Sequence, residues 1–233
     1  MSIYSRKKNI EDENNNIFWT TMSDLLLGLA IIFMTLFVLA MTGFTQQTID
    51  LQQTQMEAAQ QMAEKLKEAD IEAEVDKLTG NVKISDLELF EVGSYTLSAK
   101  GKKYLDKFVP IYMDTIFSRK ELADNVANII VQGHTDSQSF AGLSTLNEQF
   151  AKNMELSLLR ANAVEQYIFK TPYDKKYDKI LRDLLTVEGR SFAEPILTPD
   201  GKEDYAKSRR VELKLRVQGN TLTKVFGLSF GDN

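Results

Sequence analysis

From Leu25 to Phe44 the chain runs for twenty residues without a charge, LLLGLAIIFMTLFVLAMTGF. At about 1.5 Å of helix rise per residue this is roughly 30 Å, the thickness of a bilayer's hydrocarbon core. The pattern predicts one membrane-spanning helix over residues 17–45, with Phe18 and Trp19 at the level of the headgroups. Arg6, Lys7 and Lys8 precede the span, and Thr42 to Glu64 contains neither Lys nor Arg. That asymmetry puts the tail, residues 1–16, in the cytoplasm and everything after Phe44 outside. A cleaved signal peptide is the rival reading. It fits less well, because the apolar run exceeds an h-region of roughly 7–15 residues, a long acidic segment precedes it, and no clean A-x-A site follows.

Directly before the run stands Asp24. In a helix that begins near Ile17 it lies about two turns inside, where an ionised carboxylate costs at least ~2.5 kcal/mol. A carboxylate held there can take up and release a proton, or bind and release a cation. Asp24, Gly28, Ile31, Thr35, Val38 and Thr42 follow a three-four spacing and share one side of the helix. Small and hydroxyl residues mark helix contacts in membranes. Asp24 is therefore read as facing a protein partner or a hydrated path, with Gly28, Thr35 and Thr42 along it. The plainer alternative is an interfacial acid that snorkels, or that caps a helix starting at Ser23 and Asp24.

Residues 46–80 are rich in Gln, Glu, Ala and Lys, and they lack Pro and, up to Leu78, Gly. They read as a helical linker ended by Thr79-Gly80-Asn81. The apolar stripe is thin (Leu51, Met62, Leu66, with Ala58, Ala59, Ala69 and Ala73) and supports no strong coiled coil. Residues 81–218 then read as an α/β domain, followed by a tail, 219–233. NVKIS (81–85), ANIIVQG (127–133), LLTVEG (184–189) and RRVELKLRV (209–217) are strands. Residues 96–117 are a helix with Ser98 as a possible cap and Pro110 as a possible kink. Residues 146–169 form a long amphipathic helix with Phe150, Met154, Leu158, Ala161 and Val164 or Tyr167 on one face. A shorter helix covers roughly 174–184. The order β-α-β-α-β-β predicts a mixed sheet with helices packed against it.

Several function classes drop out. The chain has no cysteine, one histidine and a net charge of −5. Disulfides, thiolate chemistry and multi-histidine metal sites are excluded, and nucleic acid is a poor partner. No P-loop, GxSxG or nucleophile–base pair is visible, so an enzyme of the wall has little support. The ligand signal lies in GHTD (133–136) and LSLLRA (156–161). Asp136 projects from the end of a buried strand, and Arg160 lies inside the long helix. A carboxylate and a guanidinium at one cleft can clamp a zwitterion, the acid taking the ammonium and the guanidinium the carboxylate. The alternative is a structural Asp–Arg bridge, which is common and contributes little.

GHTD, then Asn153 with LSLLRA, SRRVEL (208–213) and upstream LFEVGSYTL (89–97), together resemble the OmpA-like peptidoglycan-binding domain over about residues 82 to 217. The resemblance implies a βαβαββ fold whose cleft grips the diaminopimelate of the wall peptide. By position, Asp136 and Arg160 would hold its amine and carboxylate, with Asn153 hydrogen-bonding nearby. His134 falls in the motif and reads as structural. Three features depart from the family pattern. Asp136 and Arg160 lie 160 − 136 = 24 positions apart, a longer gap than usual. The insert SQSFAGLSTLNEQF, residues 137–150, is placed to reshape or cover the cleft. Ser208 and Lys152 stand where the family has Asn and an aromatic or aliphatic residue.

FWTTMSDLLLGLAIIFMTLFV resembles the single membrane helix of the MotB, TolR and ExbD subunits, in which an Asp near the cytoplasmic end carries the ion. Among these, MotB-type proteins join such a helix to an OmpA-like domain. The layout is most like the ZorB subunits of Zorya anti-phage systems. A flagellar stator subunit and a passive wall anchor are the alternatives. The resemblance implies a bacterial inner-membrane protein with its distal domain in the periplasm. It further implies two such chains within a ring of five MotA- or ZorA-like subunits, no resident cofactor, and H+ or Na+ as the transported ion.

Overall fold

The computed structural model describes residues 3–91, 93–138, 140, 142–143 and 145–218. The chain divides into two units, Met1–Ile49 and Asp50–Asn233. The expected C-terminal tail, 219–233, lies outside the described residues. Helix α1 (Ile3–Glu68) contributes to both units.

In the first unit every residue from Ile17 to Gly43 is exposed. An eighteen-residue window there has a mean hydropathy of 2.6, and none of it is buried within the protein. Among the described residues this is the one helix long and apolar enough to cross a membrane. An apolar surface of this extent needs a non-aqueous surrounding. The hydroxyls of Thr21 and Thr42 donate to carbonyls one turn back, Thr21 to Ile17 at 2.9 Å and Thr42 to Val38 at 3.0 Å. Thr35 does the same to Ile31. Such back-bonding satisfies a hydroxyl without a second chain. The helix starts at Ile3, not near Ile17. Apolarity at Ile17 marks where a membrane would begin. Residues 3–16 contain no Pro or Gly to stop a helix earlier.

The second unit holds the sheet. In chain order its elements are the end of α1, β1 (Glu74–Val75), β2 (Val82–Ser85), α2 (Asp86–Leu89), α3 (Ala99–Phe117) and α4 (Lys120–Ala123). Then come β3 (Val126–His134), α5 (Leu146–Ile168), a 3-10 turn at Lys175–Tyr177, α6 (Asp178–Leu184), β4 (Leu185–Gly189), α7 (Tyr205–Ser208) and β5 (Arg210–Val217). The strand order is β1-β2-β5-β3-β4. β3 and β4 pair in parallel, and the other pairs are antiparallel. A parallel pair needs a crossover, and α5 supplies it. The mixed α/β sheet expected from the sequence is present, with β1 added as a two-residue edge. Ser98 caps α3 by accepting from Gly101 N at 2.9 Å, and Pro110 lies inside that helix. Thr145 and Glu148 form a capping box at the start of α5.

Two sequence expectations need correction. The linker, 46–80, is not one helix ended at Gly80. Helix α1 stops at Glu68 in a Schellman turn: Ile71 N donates to Leu66 O at 2.9 Å and Asp70 N to Lys67 O at 3.2 Å. Asp70 takes the left-handed position (φ 56°) that Gly usually fills, so no glycine announces the stop. Thr79-Gly80 instead closes the hairpin between β1 and β2. Nor do residues 50–68 behave as a spacer. Ala58, Met62 and Leu66 are buried in the same core as Phe108 and Tyr112 of α3 and Val82 of β2. Lys65–Asp114 (2.8 Å) and Arg119–Glu57 (3.3 Å) flank that contact. The thin stripe is a core-facing stripe.

Helix α5 also turns a different face inward from the one its periodicity predicts. Its buried face reads Gln149, Asn153, Ser157 and Arg160, and turns apolar at Ala161, Val164 and Ile168. Phe150 and Leu158, expected inside, are 36% and 45% exposed. The cause is close packing on the sheet. A Cβ added to Gly133 would lie 2.0 Å from Ser157 O, and one on Gly189 would lie 2.9 Å from Ser157 Oγ. Backbones this close leave room for a serine but not for a phenylalanine.

Candidate functional site

β2 and β3 end, and β5 begins, at one edge of the sheet. Asp86 directly follows β2, Asp136 lies two residues past β3, and Arg209 immediately precedes β5. Asn153 and Arg160 come from the buried polar face of α5, two turns apart. With Leu87, Gly93, Thr135, Gln138, Phe140 and Leu156 these five line an open cleft of about 380 Å³.

The structure therefore brings Asp136, Asn153 and Arg160 together, as the sequence led one to expect. The pairing within the cleft differs. Arg160 does not bridge Asp136. Its Nη2 lies 3.1 Å from Asp86 Oδ2, its Nε donates to Ser94 O at 3.0 Å, and its guanidinium sits 5.4 Å from the centre of the Phe90 ring. Arg209 Nη1 pairs with Asp136 Oδ2, while Asp136 Oδ1 accepts from Gln138 N at 3.2 Å. Asn153 Nδ2 donates to Gln149 O at 3.0 Å. The site is thus two acids and two guanidiniums in a closed set. Asp86 and Arg209 were missed in the sequence. Asp86 carried the same kind of signal as Asp136, a carboxylate within two residues of the end of a core strand, whereas Arg209 stood at the start of the strand read over 209–217.

Burial dominates the electrostatics. It pushes the Asp86 carboxyl above its ordinary range despite Arg160, and it pushes the Arg160 guanidinium down despite Asp86. Asp86 Oδ1 and Thr135 Oγ1 are buried without a hydrogen-bond partner within the protein.

His134 is buried, and by strand alternation it faces away from Gly133 and α5. Its Nε2 meets Gln132 Oε1 at 3.0 Å and lies 3.7 Å from Glu212 Oε1. Gln132 in turn donates to Glu188 at 2.6 Å, and Arg210 Nε to Glu212 at 2.5 Å. Burial, reinforced by Arg210, drives the His134 pKa down from 6.5 to about 4, against the pull of Glu212 and Glu194. The unfolded chain then binds a proton at this position between those values and the folded one does not, so stability falls as pH drops through that window. Urea unfolding at pH 7 and pH 5 is expected to show a loss of about 2 kcal/mol in the parent that His134→Gln largely removes. Equal losses in both would place the acid sensitivity elsewhere.

Asp24, Gly28, Thr35 and Thr42 lie on α1 in the first unit, all exposed. A Cβ on Gly28 would meet nothing within 4 Å.

Comparison with known proteins gives consistent findings. The OmpA family matches residues 89–209. A Zorya protein ZorB from the Crooks strain of Escherichia coli is 31% identical over 215 residues, covering 87% of this chain and 89% of that protein. A second Escherichia coli Zorya protein ZorB is 24% identical over 226 residues, covering 91% and 85%. Among solved structures, a MotB-like protein from Desulfovibrio vulgaris has the same fold. It has a TM-score of 0.52 and 22% identity, covering 75% of this chain and 98% of that one. On the extent and identity of the ZorB match, with the OmpA segment inside it, this chain belongs to the ZorB family.

Proposed function

We propose that this chain is the wall-anchored, ion-carrying subunit of an ion-driven motor of the MotA/MotB type, serving a Zorya anti-phage system. The observation that carries the reading is Asp24, an acid at the start of a membrane-length apolar run in a chain of two parts; a simple tether would need both parts but not the acid. One part is an unburied apolar helix with a single acid, Asp24, at the start of its uncharged run. The other is a folded domain whose sheet edge presents a charge-balanced cleft. Asp24 accepts and releases H+ or Na+ along the side that carries Gly28, Thr35 and Thr42. The N-terminus lies in the cytoplasm and the domain in the periplasm. Two copies stand within five ZorA-like subunits, and ion flow turns that ring around the anchored pair.

In the cleft, Asp136 takes the ammonium of a wall-peptide diamino acid and Arg160 its carboxylate, with Asn153 alongside. A guanidinium has five N–H donors, and Arg160 uses only part of that set on Asp86 and Ser94. A ligand ammonium near Asp86 Oδ1 or Thr135 Oγ1 would satisfy buried atoms that the protein leaves unpaired. The anchoring half is tested by co-sedimentation of the detergent-solubilised chain with purified peptidoglycan. Asp136→Asn removes the charge while keeping the shape, and it is expected to lower retention at least about tenfold. Retention equal to the parent's would mean that the cleft does not hold the wall.

A further inference from the structure

The insert after Asp136 is long for a strand-to-helix connection, and its described residues are held in place rather than left to drift over the cleft. Gln149, on the first turn of α5, is 8% exposed. Its Oε1 accepts from Phe140 N at 2.8 Å, and its Nε2 donates to Phe140 O at 3.2 Å and to Leu143 O at 3.0 Å. One buried amide thereby satisfies both backbone groups of Phe140, as a paired strand would. At the other end of the loop, Ser137 N donates to Glu203 Oε1 at 3.2 Å, and the Ser137 hydroxyl bonds the same carboxylate. Gln149 O also accepts from Asn153, so the pin and the cleft share one turn of helix.

The residue so fixed, Phe140, is half-buried and lines the cleft. Leu87 and Leu156 line it as well, beside the charged set of Asp86, Asp136, Arg160 and Arg209. A cleft with a zwitterion clamp and an apolar wall fits a ligand with an amino-acid head and an aliphatic arm. A head group alone would leave the wall unused.

We infer that Phe140, presented by Gln149, is a specificity-determining residue that reads the aliphatic arm of the diamino acid, so that the insert adds selectivity to the clamp. This rests on the reading of the cleft as a wall-peptide site. Gln149 acts as a positioning residue, because it reaches the ligand only through the loop. Both roles separate head from arm. Loss of Phe140 costs affinity for a ligand with an arm and leaves a bare head group almost unaffected.

The test is a calorimetric or NMR titration of the whole 233-residue chain in detergent micelles with meso-diaminopimelate and, in parallel, with D-alanine. Phe140→Ala is expected to weaken diaminopimelate binding about tenfold, the scale of two lost methylene contacts, and to change D-alanine binding less than about twofold. Gln149→Ala should reproduce that pattern, and Phe140→Leu, which keeps an apolar wall, should recover most of the affinity. Diaminopimelate binding that is unchanged in Phe140→Ala overturns the inference while the clamp stands. A parallel loss for both ligands also overturns it, because it marks a structural role. A parent chain that binds neither ligand removes the reading of the cleft itself, and the inference with it.

Discussion

Asp24→Asn is expected to bring ion flux to background in cells that carry this chain with its membrane partners. The substitution keeps size, polarity and helix geometry, and it removes the ability to exchange a proton or neutralise a cation. An ionised carboxylate costs ~2.5 kcal/mol or more at the centre of a membrane helix and less toward its edge, and an amide there is cheaper. Insertion and folding should therefore be unchanged or slightly improved in the variant. Membrane-fraction yield and retention on peptidoglycan serve as controls. Flux is read with pH- and Na+-sensitive dyes under conditions that trigger the system, and substituting one cation for the other then identifies the ion. Full flux in Asp24→Asn would remove the acid from the pathway. No flux in the parent would favour the passive anchor and leave Asp24 as a helix-end residue.

The second large effect is on stability. Arg160→Ala leaves Asp86 buried without its partner, the two side chains being 4% and 9% exposed in the parent. Breaking one side of a buried pair costs about 3–5 kcal/mol, since a desolvated carboxylate remains. The loss is expected as a lower urea midpoint at pH 7, with a smaller loss at acid pH, where Asp86 is neutral. The sign follows from burial, which raises the folded Asp86 pKa and would raise it further once Arg160 is gone. Replacing both residues, Asp86→Leu with Arg160→Met, should recover much of the stability without recovering wall binding. Arg160→Ala with parental stability would mean that the pair contributes nothing to the fold. A fall in peptidoglycan retention for Arg160→Ala alone is thus ambiguous between ligand and fold, and Asp136→Asn is the cleaner probe of the clamp.

Arg160 shows how far the sequence could be read. Its presence in LSLLRA marked it as a ligand residue, and the structure places it in the cleft with Asp136 and Asn153. Its partner could not be read. Asp86 lies 160 − 86 = 74 positions away and meets Arg160 only because β2 and β3, with β5 between them, end at the same edge. The apolar face of α5 failed for a related reason. Periodicity chose Phe150, Met154 and Leu158, the residues with the larger apolar area. Packing chose Ser157, because Gly133 and Gly189 bring two strand backbones against it. The end of α1 was hidden because an aspartate, Asp70, occupies the left-handed position usually marked by glycine.

By itself the sequence determined what local pattern and composition can fix: an uncharged span long enough for a bilayer, one acid at its edge, the strands and main helices of a mixed sheet, and the motif residues of a cleft. Those are properties of short windows, set by hydrophobic area and backbone preference. The tertiary structure alone decided which charges pair, which face of α5 is inside, that residues 50–68 belong to the core, and that Gln149 holds Phe140 on the cleft wall. The first three depend on segments distant in the chain approaching within a few ångströms, and no window of the sequence contains both; the last spans nine residues and depends on a loop conformation that pattern does not fix.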